Sequence, residues 1–178
     1  MEELRPVHCR AFIFAVGCVI IPLILCSTLL WIGFSERNLS GLLSEPSFFP
    51  FVHIAFFMML GWLLLMLYII SGRQRKIHAE LILLAVLISG ALCIGYKPDS
   101  PAMQSVHLIL SYGAFAYMNL LFYRTCGFYV RERNIYLSVC FCALLISFTA
   151  GVVSGISEVL YGSCCSILLT LIALKNIK

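Results

Sequence analysis

The sequence predicts an all-α integral membrane protein: one bundle of six transmembrane helices spanning residues 1–178 as a single domain. Hydrophobic residues make up 62% of the 178 and charged residues only 11%, far below the roughly 25% charged that is usual for soluble domains. The charges are bunched, leaving uncharged windows at 11–35, 46–72, 81–96, 100–123, 134–157 and 159–174. A bilayer core is crossed by about 20 apolar residues, within a range of roughly 17 to 25. The third and sixth windows reach that length once the neighbouring interfacial turns are included.

The first helix is expected at about 11–34. Its apolar run is about twice the 7 to 15 residues of a signal-peptide core and ends without a small-x-small cleavage pattern, so it reads as a span. Pro22 inside it frees a carbonyl, which a neighbouring helix in a membrane bundle can satisfy. The second helix is expected at about 47–72, with Phe48, Phe49 and Phe51 as interfacial aromatics. The third, about 77–96, begins among basic residues, and the fourth, about 102–124, ends at Phe122 and Tyr123 near the opposite boundary. The fifth (134–153) and sixth (156–174) are separated only by a tight connection containing Gly151, Ser154 and Gly155. One re-entrant element over 134–174 is the alternative for that region.

Charge fixes the expected orientation. With both termini cytoplasmic, Arg5, Arg10, Arg73, Arg75, Lys76, Arg124, Arg131, Arg133, Lys175 and Lys178 lie inside, and only Arg37 and Lys97 outside. Ten against two is the positive-inside pattern. Asn38-Leu39-Ser40 in the first outside loop is an N-glycosylation acceptor pattern that suits this orientation. Chance occurrence is the other reading of so short a pattern. The endomembrane system and the plasma membrane are both compatible with the sequence.

No basic stripe exists for nucleic acid, and there is no phosphate-cradling glycine loop, nucleophile elbow or pair of intramembrane carboxylates. The nine cysteines fall in the spans or near the cytoplasmic ends, where thiols stay reduced. Cys140 and Cys142 point about 200° apart on a helix and cannot share a metal ion. Asn119 is expected to hydrogen-bond across the bundle, and Glu158 to sit at the outer mouth of the sixth helix.

Histidine is the remaining chemistry. His8 is in the charged leader, whereas His53, His78 and His107 each fall near the start of a helix. Alternating topology puts His53 and His107 on the same outer side at similar depth, and His78 on the inner side. Two neutral imidazoles across a bundle suit axial ligation of a haem iron. Gly61, Ala85, Ser89, Ser111 and Ala114, near helical phase with the histidines, would leave room for a macrocycle. Small residues also mark plain helix packing, and a histidine at the boundary is also read as interfacial.

Arg75-Lys76-Ile77-His78-Ala79-Glu80-Leu81 resembles the opening of the third helix of the cytochrome b-561 family. Met103-Gln104-Ser105-Val106-His107, with Gly113 and Cys126-Gly127-Phe128, is similar to that family's fourth helix. Phe51-Val52-His53 followed by Met58-Met59-Leu60-Gly61 is similar to its second, without the family's Trp and Pro beside the histidine. The resemblance spans roughly residues 48–128. It implies haem b, one or two per chain, with His53 and His107 as axial ligands of an outer haem and His78 as a ligand of an inner one. The family's fourth histidine, on the fifth helix, is absent here; Tyr136 and Cys140 are the residues there that could approach an iron, although a buried thiol ligates poorly.

The resemblance implies electron transfer from cytoplasmic ascorbate to monodehydroascorbate or ferric iron outside. Arg73, Arg75, Lys76 and Arg124 would receive the anionic donor; topology-setting charge beside headgroups is their other reading. With one haem most of a roughly 30 Å core stays uncrossed, so the chain would keep a five-coordinate inner haem on His78 or work at the outer surface. The bilayer is the expected partner, with a homodimer compatible. The alternative function is a haem-free six-helix protein with a scaffold or regulatory role, either a relative that lost haem or one similar to the damage-regulated autophagy modulators. Large side chains filling the space beside the histidines would mark that alternative.

Overall fold

A computed structural model describes residues 4–32, 49–72, 75–94, 99–150 and 153–177. Among them there is no strand, and six stretches are long and apolar enough to cross a membrane. Helix α1 consists of two α-helical halves, Leu4–Ala15 and Ile21–Ile32, joined by a π-helical stretch, Val16–Ile20. It is followed by α2 (Phe49–Ile70), α3 (Arg75–Ile94), α4 (Pro101–Cys126), α5 (Val130–Ala150) and α6 (Gly155–Asn176).

Two helices start several residues before the bounds expected of them, about 11 and 134. α1 begins at Leu4 and α5 at Val130, because a helix continues through the interface and carries charged side chains on its terminal turns. Glu132 lies in the first turn of α5, where a carboxylate is favoured by the helix dipole, and it accepts a hydrogen bond from Lys175 Nζ on α6.

Local chemistry marks two of the helix boundaries. Gly72 adopts φ 66° directly after α2, a left-handed conformation that favours glycine, and its N–H bonds back to Ile69 O. Ser154 caps α6, its hydroxyl accepting from Ser157 N at 3.3 Å. The cap opens α6, so 130–150 and 155–176 belong to two helices, each with a stretch long and apolar enough to cross a membrane.

The core is organised around α6. Its span is 61% buried, against 17–28% for the other five. It packs on α1, α2 and α5, while α3 and α4 form a closely packed pair joined to the rest chiefly through α2. Leu168, Leu169, Ile172 and Ala173 of α6 join Met66 and Leu67 of α2, and Leu121 and Phe122 of α4, in the main apolar cluster. The remaining faces of α3, α4 and α5 present Ile82, Val86, Ile109, Tyr112, Phe141 and Phe148 outward, as a lipid-facing surface requires.

Pro22 explains the π-helical stretch. In that register Ile21 N–H reaches Val16 O, five residues back. The next donor along would be Pro22 N, which carries no hydrogen, so Gly17 O lacks its helical partner. Ser166 Oγ on α6 donates to it at 2.7 Å. The helices approach closely enough for this because residue 17 is glycine: an added Cβ would sit 1.9 Å from Thr170 Oγ1.

Candidate functional site

At the end of the bundle away from the described termini, α2 and α4 begin and α3 finishes. A helix leaves its last four carbonyls without intrahelical partners, and water is scarce at membrane depth. Ala91 and Leu92 lie in that last stretch of α3. His107 Nδ1 donates to Ala91 O at 3.0 Å and His53 Nε2 donates to Leu92 O at 3.3 Å. Successive helical residues are about 100° apart around the axis, so the two imidazoles approach one helix end from two sides.

Each carbonyl partner assigns a proton. A carbonyl only accepts, so His53 carries its hydrogen on Nε2 and His107 on Nδ1. His107 Nε2 then offers its lone pair to Ser111 Oγ, 3.4 Å away. His107 is buried and His53 half-buried. As expected from the sequence, both are on one side of the bundle at similar depth.

The surroundings are filled by large side chains. Leu92 forms a buried cluster with Ile21, Leu25 and Val159, against which Phe56, Met59, Trp62 and Ile88 pack. Phe56 is one turn from His53, and Ile88 one turn from Leu92. At Gly90 an added Cβ would already meet Leu110 Cδ1 at 3.2 Å, which shows how closely α3 and α4 approach beside His107. Of the small residues expected to line a macrocycle, Ala114 is buried in protein, Ala85, Ser89 and Ser111 are half-buried, and Gly61 faces open space.

The expected inner site divides. His78 is exposed on the first turn of α3, its ring 5.3 Å from that of Tyr68. Tyr136 and Cys140 of α5 instead join a buried polar network with Asn119 of α4 and Tyr161 of α6. Tyr136 OH donates to Asn119 Oδ1 at 2.9 Å and lies 2.9 Å from Tyr161 OH. Cys140 Sγ donates to the same Asn119 Oδ1 at 3.5 Å, and Asn119 Nδ2 donates to Phe115 O at 2.7 Å. Tyr136 also stacks on Phe122, ring centroids 3.8 Å apart. Asn119 therefore bonds across the bundle as the sequence suggested; its two tyrosine partners carried no sequence signal beyond their position in apolar spans.

Among the cations expected beside an anionic donor, Arg124 Nη1 pairs with Glu80 Oε1 at 2.6 Å. Arg73 and the side chains of Arg75 and Lys76 lie outside the described residues, as does Asn38. Among the described residues, no three His, Cys, Asp or Glu side chains come together as a metal site.

Comparison with protein-family models, curated proteins and solved structures returns no match. A haem clamped by both imidazoles does not fit this arrangement at His53: its Nε2 bears a proton held by Leu92 O, and Leu92 itself lies in a cluster packed by Phe56, Met59 and Ile88. What the arrangement does do is satisfy the end of α3 inside an apolar bundle.

Proposed function

We propose that the chain is a haem-free, non-enzymatic six-helix membrane protein that acts as a scaffold or regulator within its bilayer, with both termini on the cytoplasmic side. The observation that supports this reading is the use of both imidazoles. His53 and His107 donate to successive carbonyls at the end of α3, amid packed large side chains, so these histidines are structural. The orientation rests on the ten-to-two distribution of basic residues. Addition of glycan at Asn38, read as a mobility shift that N38Q removes, would support it independently.

The deciding experiment is a reduced-minus-oxidised absorption spectrum of the detergent-purified chain expressed with ample haem, with haem quantified per chain. A flat spectrum and no bound haem are expected. A six-coordinate haem signal that disappears in His107→Ala would overturn the proposal and return electron transfer, on the pattern of the cytochrome b-561 resemblance, as the function.

A further inference from the structure

At the opposite end of the bundle, where α1 and α5 begin and α6 ends, lies a half-open cavity of about 400 Å³. Arg10 of α1, Arg131 of α5 and Lys175 of α6 line it together with a single carboxylate, Glu132. Glu132 is engaged by Lys175, which leaves an excess of positive charge from two arginines on different helices. Arg10 and Arg131 are both exposed at this end, and Arg10 Nη1 donates to Ile177 O at 3.5 Å, which draws it toward the end of α6.

The rest of the wall is apolar. Leu171 and Leu168 carry the cavity inward along α6 from Lys175, one and two turns deeper, or about 10 Å at roughly 1.5 Å per residue. Leu171 is half-buried and Leu168 buried. A site with cations at its mouth and leucines below matches a molecule with an anionic head and a hydrocarbon tail; free inorganic phosphate would use only the upper part. Basic pockets between transmembrane helices are suited to phospholipid headgroups.

We propose that this cavity binds an anionic phospholipid of the adjoining leaflet, its phosphate group held by Arg10 and Arg131 and its first methylenes lying against Leu171 and Leu168. The site is independent of the histidine cluster, so the lipid proposal and the haem-free reading stand or fall separately.

Native mass spectrometry of the full chain tests the site. The protein is titrated with phosphatidylglycerol and with phosphatidylcholine of identical acyl chains, in the presence and absence of inorganic phosphate. The expected result is a one-lipid adduct with phosphatidylglycerol, at least fivefold tighter than with phosphatidylcholine and insensitive to millimolar phosphate. Arg131→Gln should weaken it roughly fivefold, the effect of one interfacial cation. Arg133→Gln makes the same charge change two residues along α5, about 200° around the helix, and should leave the affinity within twofold. Leu171→Trp, which fills the cavity without changing charge, should abolish the adduct while the protein elutes unchanged in size-exclusion chromatography. Equal losses in the two arginine variants would overturn the proposal in favour of diffuse surface attraction. Equal binding of the two lipids, or displacement by inorganic phosphate, would overturn it as well.

Discussion

Replacing Gly17 by alanine tests a close contact between α1 and α6. The new Cβ would lie 1.9 Å from Thr170 Oγ1, 2.8 Å from Thr170 Cβ and 2.6 Å from Trp62 Nε1. None of these atoms is the free end of a flexible chain: Thr170 is fully buried on α6, and Trp62 Nε1 donates to Thr170 Oγ1 at 3.0 Å. α1 must therefore move away from α6. Overpacking of this kind costs about 1–3 kcal/mol. The shift also parts Ser166 from Gly17 O, leaving a buried carbonyl unsatisfied at about 1–3 kcal/mol. A total loss of about 3–5 kcal/mol is expected, at the high end for a single substitution. Reversible unfolding in mixed micelles, followed by tryptophan fluorescence, reads this directly, since Trp62 sits at the contact and is one of two tryptophans. Thr170→Ala removes the hydroxyl but keeps Cβ, so in combination with Gly17→Ala it should restore part of the loss, with a coupling of about 1–2 kcal/mol. An unfolding free energy for Gly17→Ala within about 0.5 kcal/mol of the parent, the range of an unremarkable surface change, would refute this account of the α1–α6 contact.

His107→Ala removes the donor to Ala91 O and should destabilise the same unfolding transition by about 1–3 kcal/mol, the cost of a buried acceptor left unpaired. The exposed His78 serves as comparison, and an equal effect at both positions would deny His107 its role at the end of α3. Asn119→Leu keeps the volume roughly constant but removes the partner of Tyr136 and Cys140; interhelical polar contacts in membranes average about 0.6 kcal/mol, so a loss of about 1–2 kcal/mol is expected for the pair. No loss in the unfolding assay would mean that the Tyr136–Tyr161 bond alone satisfies the network.

The six spans were legible because length and apolarity suffice to place them, and the charges around them are few. Their ends were less so: Arg10, Arg131 and Glu132 lie outside the uncharged windows yet sit within helices, since terminal turns can hold charge at the interface. The shared depth of His53 and His107 followed from alternating topology. What they touch did not follow, because a helix end that lacks donors leaves no mark in its own sequence. Ala91 and Leu92 look like any apolar residues. The expectation of a haem came from spacing and resemblance, whereas the His53 tautomer that opposes it depends on a carbonyl that only the fold brings near. In the same way Tyr136 stood where a ligand was sought, and the fold turns it toward Asn119 and Tyr161.

The place of α6 at the centre is not predicted by apolarity, since its mean hydropathy of 1.7 is below the 2.5 of the first span. Between helices in lipid the hydrophobic effect gives no preference for one apolar helix over another, so close van der Waals approach and polar contacts decide which is enclosed. Gly162, Ser166 and Thr170 recur every four residues and so form one stripe along α6. Each meets a different need. At Gly162 an added Cβ would stand 3.2 Å from both Leu25 Cδ1 and Met59 Sδ, so the missing side chain admits α1 and α2. Ser166 satisfies the carbonyl that Pro22 leaves without a donor, and Thr170 accepts the Trp62 indole hydrogen. The proline on α1, the tryptophan on α2 and the small stripe on α6 thus form one structural unit. Pro22 creates the unmet acceptor, and the stripe lets α6 come close enough to meet it.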